Sequence, residues 1–208
     1  MRMMTILKSA VVSAVVFGAS SLGVNAATFN GLFSLSGTSF QEPGLVMATS
    51  ATSGAFSFDL DTAGQSTTFD LFNIWATEGN VSGNNTQTST LQAAFSFAGI
   101  GASGTVNGST KGVSIFFGIF QNASLSWAGP VVLNFGNGGV LSIALSGNTS
   151  FNSGIFGLSP GSANGATIQA TATLVSAPAP VPLPASGLVL LGALAGGGAF
   201  LRRRRKAA

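Results

Sequence analysis

The chain has no cysteine, no histidine and no tyrosine, and only 6% of its 208 residues are charged. Without cysteine there is no disulfide, no thiolate metal site and no thiol nucleophile. Without histidine the commonest general base and the commonest transition-metal ligand are both missing. A Ser-His-Asp triad and the usual zinc hydrolase site are therefore excluded. Ser-Lys chemistry would need Lys111, which stands in Gly-Ser-Thr-Lys-Gly and reads as a turn. Low charge does not imply disorder, because seventeen Phe and abundant Val, Ile and Leu supply apolar surface to bury.

The net charge of +3 misrepresents the middle of the chain. Arg2 and Lys8 lie near the start, and Arg202, Arg203, Arg204, Arg205 and Lys206 near the end. Between them Lys111 stands against Glu42, Asp59, Asp61, Asp70 and Glu78, a net charge of −4. One lysine cannot neutralise a run of phosphates, so nucleic acid is excluded as a partner.

Residues 1–26 read as a signal peptide. A basic start (Arg2, Lys8) precedes a short apolar stretch, and Val24-Asn25-Ala26 supplies small residues before a cut between Ala26 and Ala27. Residues 27–176 then form the exported domain, long enough for one core. Residues 177–184 alternate proline (Pro178, Pro180, Pro182, Pro184), which favours an extended spacer. Residues 185–201 are uncharged and apolar and read as a single transmembrane helix, at roughly 25 Å near the short end for a crossing. Gly192 and Gly196 form a small-xxx-small pair within it. Residues 202–208 carry Arg202, Arg203, Arg204, Arg205 and Lys206. These hold the tail in the cytoplasm by the positive-inside rule, so the domain faces outward.

Val181-Pro182-Leu183-Pro184-Ala185, the Gly-rich apolar run and the terminal Arg cluster together resemble the VPLPA variant of the PEP-CTERM sorting signal. The resemblance covers residues 181–208 and says nothing of the domain upstream. It implies export in a Gram-negative bacterium and processing by signal peptidase and then by an exosortase, a membrane-embedded enzyme of cysteine-transpeptidase type. It implies a membrane-anchored precursor, a final place at the cell surface or in the extracellular matrix, and an association with extracellular polysaccharide and biofilm. Leu183-Pro184-Ala185-Ser186-Gly187 also resembles the LPxTG sortase signal, with Ser for Thr, which would imply covalent linkage to a Gram-positive wall.

The domain reads as all-β. Asn-Gly pairs at Asn30, Asn107, Asn137 and Asn164 mark turns, and short runs of period two lie between them. Phe56, Phe58 and Leu60 alternate with polar residues. Leu91, Ala93, Phe95 and Phe97 share a face, as do Ile168, Ala170, Ala172 and Leu174. Residues 131–135 and 140–145 flank a four-residue hairpin loop. Residues 113–120 are apolar on both faces and predict a covered central strand, or a self-associating segment if exposed. Seven to ten such strands predict an antiparallel β-sandwich or jelly roll.

Two binding sites suggest themselves. Asp59, Asp61 and Asp70 occupy positions 1, 3 and 12 of an EF-hand-like spacing with Gly64 at position 6. Ala63 at position 5 and strand-like flanks argue for a hairpin with solvated acids instead. Trp75 and Trp127 are the only tryptophans that could stack a sugar. Trp75 shares a face with Phe69 and Leu71, and Trp127 with Leu125, which suits core residues better. An enzyme would have to work with carboxylates alone; no catalytic residue and no cofactor is expected. The sequence thus predicts a non-catalytic surface or matrix protein, or else a glycan- or calcium-binding module.

Overall fold

The computed structural model describes residues 27–147 and 149–179. The expected leader with Ala26, Asn148, the expected sorting motif from Val181 to Ala185, the apolar run and the basic tail lie outside the described residues. Within them the chain is all-β. Eleven strands run β1 Ala27–Ser36, β2 Met47–Thr49, β3 Ser53–Leu60, β4 Ser66–Ala76, β5 Ser89–Phe97, β6 Ala102–Ile115, β7 Phe120–Trp127, β8 Val131–Phe135, β9 Gly139–Leu145, β10 Thr149–Ile155 and β11 Ala166–Ser176. They form two curled antiparallel sheets, as a β-sandwich has. Sheet A has the order β10-β7-β6-β5-β1-β3 and sheet B the order β2-β4-β11-β9-β8. No described helix is long and apolar enough to cross a membrane.

Alternation builds the core. Leu91, Ala93, Phe95 and Phe97 of β5 are buried, and so are Ile168, Ala170, Ala172 and Leu174 of β11, as their period of two predicts. Phe58 and Leu60 join them from β3, Leu141 and Ile143 from β9. The largest aromatic cluster of this core sits at one end. Phe29 stacks on Phe58 at 5.4 Å, Phe56 on Phe69 at 5.1 Å, and Phe97 meets Phe56 edge-on at 5.6 Å.

Two Asn-Gly pairs expected as turns lie inside strands. Gly31 belongs to β1 and Gly108 to β6. A Cβ at Gly31 would overlap the Phe56 ring, and one at Gly108 the Trp127 ring. These glycines make room for aromatic packing across the sheet, a role that the dipeptide does not distinguish from a turn. Asn137-Gly138 does sit in the β8–β9 turn, with φ +82° at Gly138.

The strand registers fix the position of both chain exits. Ala27 faces Leu60, and Ser66 faces Thr173 across β4 and β11. The Gly64 amide donates to the Leu174 carbonyl at 2.7 Å, and the Ala179 amide to Asn137 at 2.8 Å. The start of β1 and the end of β11 therefore share one end of the molecule. The β6–β7 turn lies at the other. Ser36 faces Gln92, Gln92 faces Asn107, and β6 continues a further eight residues to Ile115.

Candidate functional site

The acids expected to gather in a calcium loop are held on different sheets. Asp59 is on the exposed face of β3, opposite Thr28. Asp61 lies in the connection that crosses from sheet A to sheet B. Asp70 is on the exposed face of β4, where its Oδ1 accepts from Gln169 Nε2 at 2.9 Å. β3 and β4 do not pair, so residues 59–70 form neither a hairpin nor a cage. The connection has its own closure: Gln65 Oε1 accepts from the amides of Asp61, at 2.6 Å, and Thr62, at 3.3 Å. Among the described residues no group of three Asp or Glu side chains comes together. Glu78 is half-buried, accepting from the Val46 amide at 3.3 Å and from Asn85 Nδ2. Glu42 is exposed in the β1–β2 connection. Lys111 lies not in a turn but in β6, exposed and opposite Ser124.

The two tryptophans differ from each other. Trp127 packs half-buried against the core, next to buried Leu125 as predicted. Trp75 does not share the core face. A bulge in β4, where the pairing with β11 steps from Phe72 to Asp70, shifts the alternation. Phe72 and Ile74 turn inward, and Trp75 falls on the opposite side of the strand from buried Ile74 and Ala76. A single inserted residue reverses parity, so a face read straight through residues 69–75 fails.

The outer faces of both sheets are carpeted with small polar side chains. On sheet B, Ser66 pairs with Thr173 at 2.8 Å and Thr68 with Thr171 at 2.9 Å, hydroxyl to hydroxyl. On sheet A a shallow depression of about 680 Å³ opens beside Leu32, with Ser34, Ala55, Ala94, Ser96 and Thr105 around it. Its lining contains no carboxylate, no lysine and no tryptophan. It offers hydroxyls and methyl groups.

The residues at 113–120 are neither covered nor a single strand. β6 ends at Ile115 and β7 begins at Phe120, and the turn between them points into solvent. Gly118 donates to the Ile115 carbonyl at 3.2 Å, closing a turn with Phe116 at φ +50° and Phe117 at φ +57°. Phe117 is fully exposed, Phe116 68% exposed, and Ile115, Ile119 and Phe120 are open as well. The end of β10 lies alongside: Ile155 faces Phe120, and the Phe156 amide donates to Ile119 at 2.7 Å. Ile155 is 66% and Phe156 77% exposed. A sequence signal for this cluster exists. Phe116-Phe117-Gly118 and Ile155-Phe156-Gly157 both set a glycine directly after the apolar run, and glycine is a strand punctuator.

No family model, no curated protein and no solved structure matches this chain.

Proposed function

We propose that the chain is an exported, exosortase-sorted, non-catalytic structural protein of the cell surface or extracellular matrix, associated with exopolysaccharide in a Gram-negative biofilm. The observation that carries this reading is the succession Val181-Pro182-Leu183-Pro184-Ala185, uncharged apolar run and Arg202, Arg203, Arg204, Arg205, Lys206. In that reading residues 185–201 cross the inner membrane as a helix and hold the precursor for the exosortase. The two-sheet domain adds supporting chemistry. Its five acids are dispersed, it has no histidine or cysteine, and its outer faces present hydroxyls and amides suited to a hydrated polymer. Both ends of the described domain emerge at one side, so leader and spacer attach there and the opposite end is left free.

The test is the intact mass and the fractionation of the native protein from its own host. A chain starting at Ala27 and ending between Val181 and Ala185, recovered outside the inner membrane, is the expected result. A chain still ending at Ala208 in the inner membrane would overturn exosortase processing, and linkage to peptidoglycan would point to the sortase signal instead. A second reading, a glycan-binding module, is favoured by the depression beside Leu32, where Ser34, Ser96 and Thr105 set hydroxyls around an apolar floor. Discrete binding on a glycan array, lost in L32D, would support it.

A further inference from the structure

We propose that the apolar tip formed by the β6–β7 turn and the end of β10 is a homophilic contact, whose occupant is the same tip of a second copy of this chain. Three independent observations carry this. The first is area. Ile115, Phe116, Phe117, Ile119, Phe120, Ile155 and Phe156 are gathered at one tip by the backbone pairing of Ile155 with Phe120 and of Phe156 with Ile119 and by the edge contact of the Phe116 and Phe120 rings. At about 200 Å² per residue their exposures sum to on the order of 900 Å² of accessible surface, most of it apolar. An ordinary monomer's largest patch is smaller, about 300–600 Å². Each partner in a standard protein interface contributes about 800 Å².

The second observation is backbone geometry. Four described residues other than glycine have positive φ: Phe116, Phe117, Asn152 and Phe156. Asn152 has a structural reason, since its side chain takes the Ala76 amide at 2.8 Å and donates to Gly161 at 3.1 Å, tying β10 to sheet B. The other three are all phenylalanines of the tip. A turn with positive φ at both central positions ordinarily takes Asn-Gly, and bulky residues resist that region. Strain held at exposed aromatics points to a use for those side chains rather than to folding.

The third is charge. No residue of 112–120 or 149–156 is charged, and the nearest base along the strand is Lys111. A second copy meets no like-charge repulsion there. An anionic lipid surface, by contrast, would face a domain of net charge −4 with one lysine to hold it. An uncharged aromatic patch has the composition of an interface core, and a two-fold contact buries the same patch on both subunits.

Geometry gives the contact a consequence. The tip lies at the end remote from Ala27 and Ser176, so a tip-to-tip pair carries its two chain exits at its opposite extremes. Such a pair bridges two surfaces or two strands of matrix rather than pairing neighbours on one surface. The bridging rests on the sorting reading; the pairing does not.

The absence of cysteine makes the test direct. Ser114, exposed beside the tip, is replaced in S114C, and Ser57, exposed near the chain exits, in S57C. Each full-length variant is expressed in the native host and oxidised on intact cells. The expected result is a disulfide-linked dimer of S114C, none of S57C, and at least about tenfold less dimer when S114C is combined with F116N/F117G. The Asn-Gly replacement suits the turn, so loss of dimer there does not reflect misfolding. Absence of the S114C dimer, equal cross-linking of S57C, or cross-linking that survives F116N/F117G would each overturn the pairing. A polarity-sensitive fluorophore on S114C that shifts blue on phosphatidylcholine vesicles, in protein that does not cross-link, would assign the tip to lipid and overturn it too. Fractionation of the same cells reads the sorting proposal separately.

Discussion

The two ends of the domain use phenylalanine differently: the far end keeps Phe151 buried but also exposes four others. At the end where the chain enters and leaves, Phe29, Phe56, Phe58 and Phe69 turn inward and stack, and Phe97 and Phe135 meet them edge-on. The connection that closes this end is polar and obeys turn chemistry: Gly64 takes φ +89° and Gln65 captures two amides. At the far end Phe116, Phe117, Phe120 and Phe156 turn outward, and all but Phe120 have φ values that suit glycine or asparagine. Here the apolar effect is left unsatisfied and the backbone rule is broken in the same place. Folding alone explains the first end. A conflict between local preference and observed structure, confined to exposed residues, is the mark of a surface kept for something else.

The largest expected effect comes from removing an inward ring. Phe97 is 1% exposed and lies edge-on to Phe56, at 5.6 Å, and to Phe58, at 6.1 Å. F97A should destabilise the domain by about 3–5 kcal/mol, the sum of lost transfer energy and the cavity left behind. Urea unfolding followed by tryptophan fluorescence measures it. A loss below about 1 kcal/mol would mean that the aromatic cluster repacks freely, and the contrast between the ends would lose its energetic basis.

Much of the inward end is legible in the sequence, because alternation is a local property. The face of Leu91, Ala93, Phe95 and Phe97 and that of Ile168, Ala170, Ala172 and Leu174 follow from a period of two and one buried side. Where reading fails, a non-local fact intervenes. The bulge in β4 reverses the side of Trp75, and only the pairing with β11 reveals it. Gly31 and Gly108 resemble turn residues until Phe56 and Trp127 are seen packed against them. Asp59 and Asp70 have the spacing of a loop, yet the chain passes from one sheet to the other between them. Residues 113–120 mislead for a different reason. Their run of large apolar side chains reads as a buried strand, and at this tip they are exposed together.

The far end yields an effect of the opposite sign. F116N/F117G puts the residues that a turn with two positive φ values favours where two phenylalanines now stand. Relief of left-handed strain, about 1–2 kcal/mol per residue, outweighs the roughly 1 kcal/mol of chain entropy that the new glycine adds. The variant should be about 1–3 kcal/mol more stable than the parent, measured by the same unfolding at a concentration where both are monomeric. A loss of 1 kcal/mol or more would show that the tip rings support the fold, and the division between an inward and an outward end would collapse.

The smallest effect belongs to the polar closure at the exit end. Q65A removes the acceptor of the Asp61 and Thr62 amides, which then turn to water because the connection is exposed. Solvated donors cost little when they lose a protein partner, so the expected loss is about 0.5–1 kcal/mol, the net worth of one ordinary hydrogen bond. The Gly64 amide still donates to Leu174 and keeps the connection in place. Amide exchange at Asp61 and Thr62 should rise while exchange in β5 and β11 stays slow, which localises the change. Exchange rising throughout β11 would mean that this short connection holds the sheet together, and the exit end would then depend on its polar turn as well as on its stacked rings.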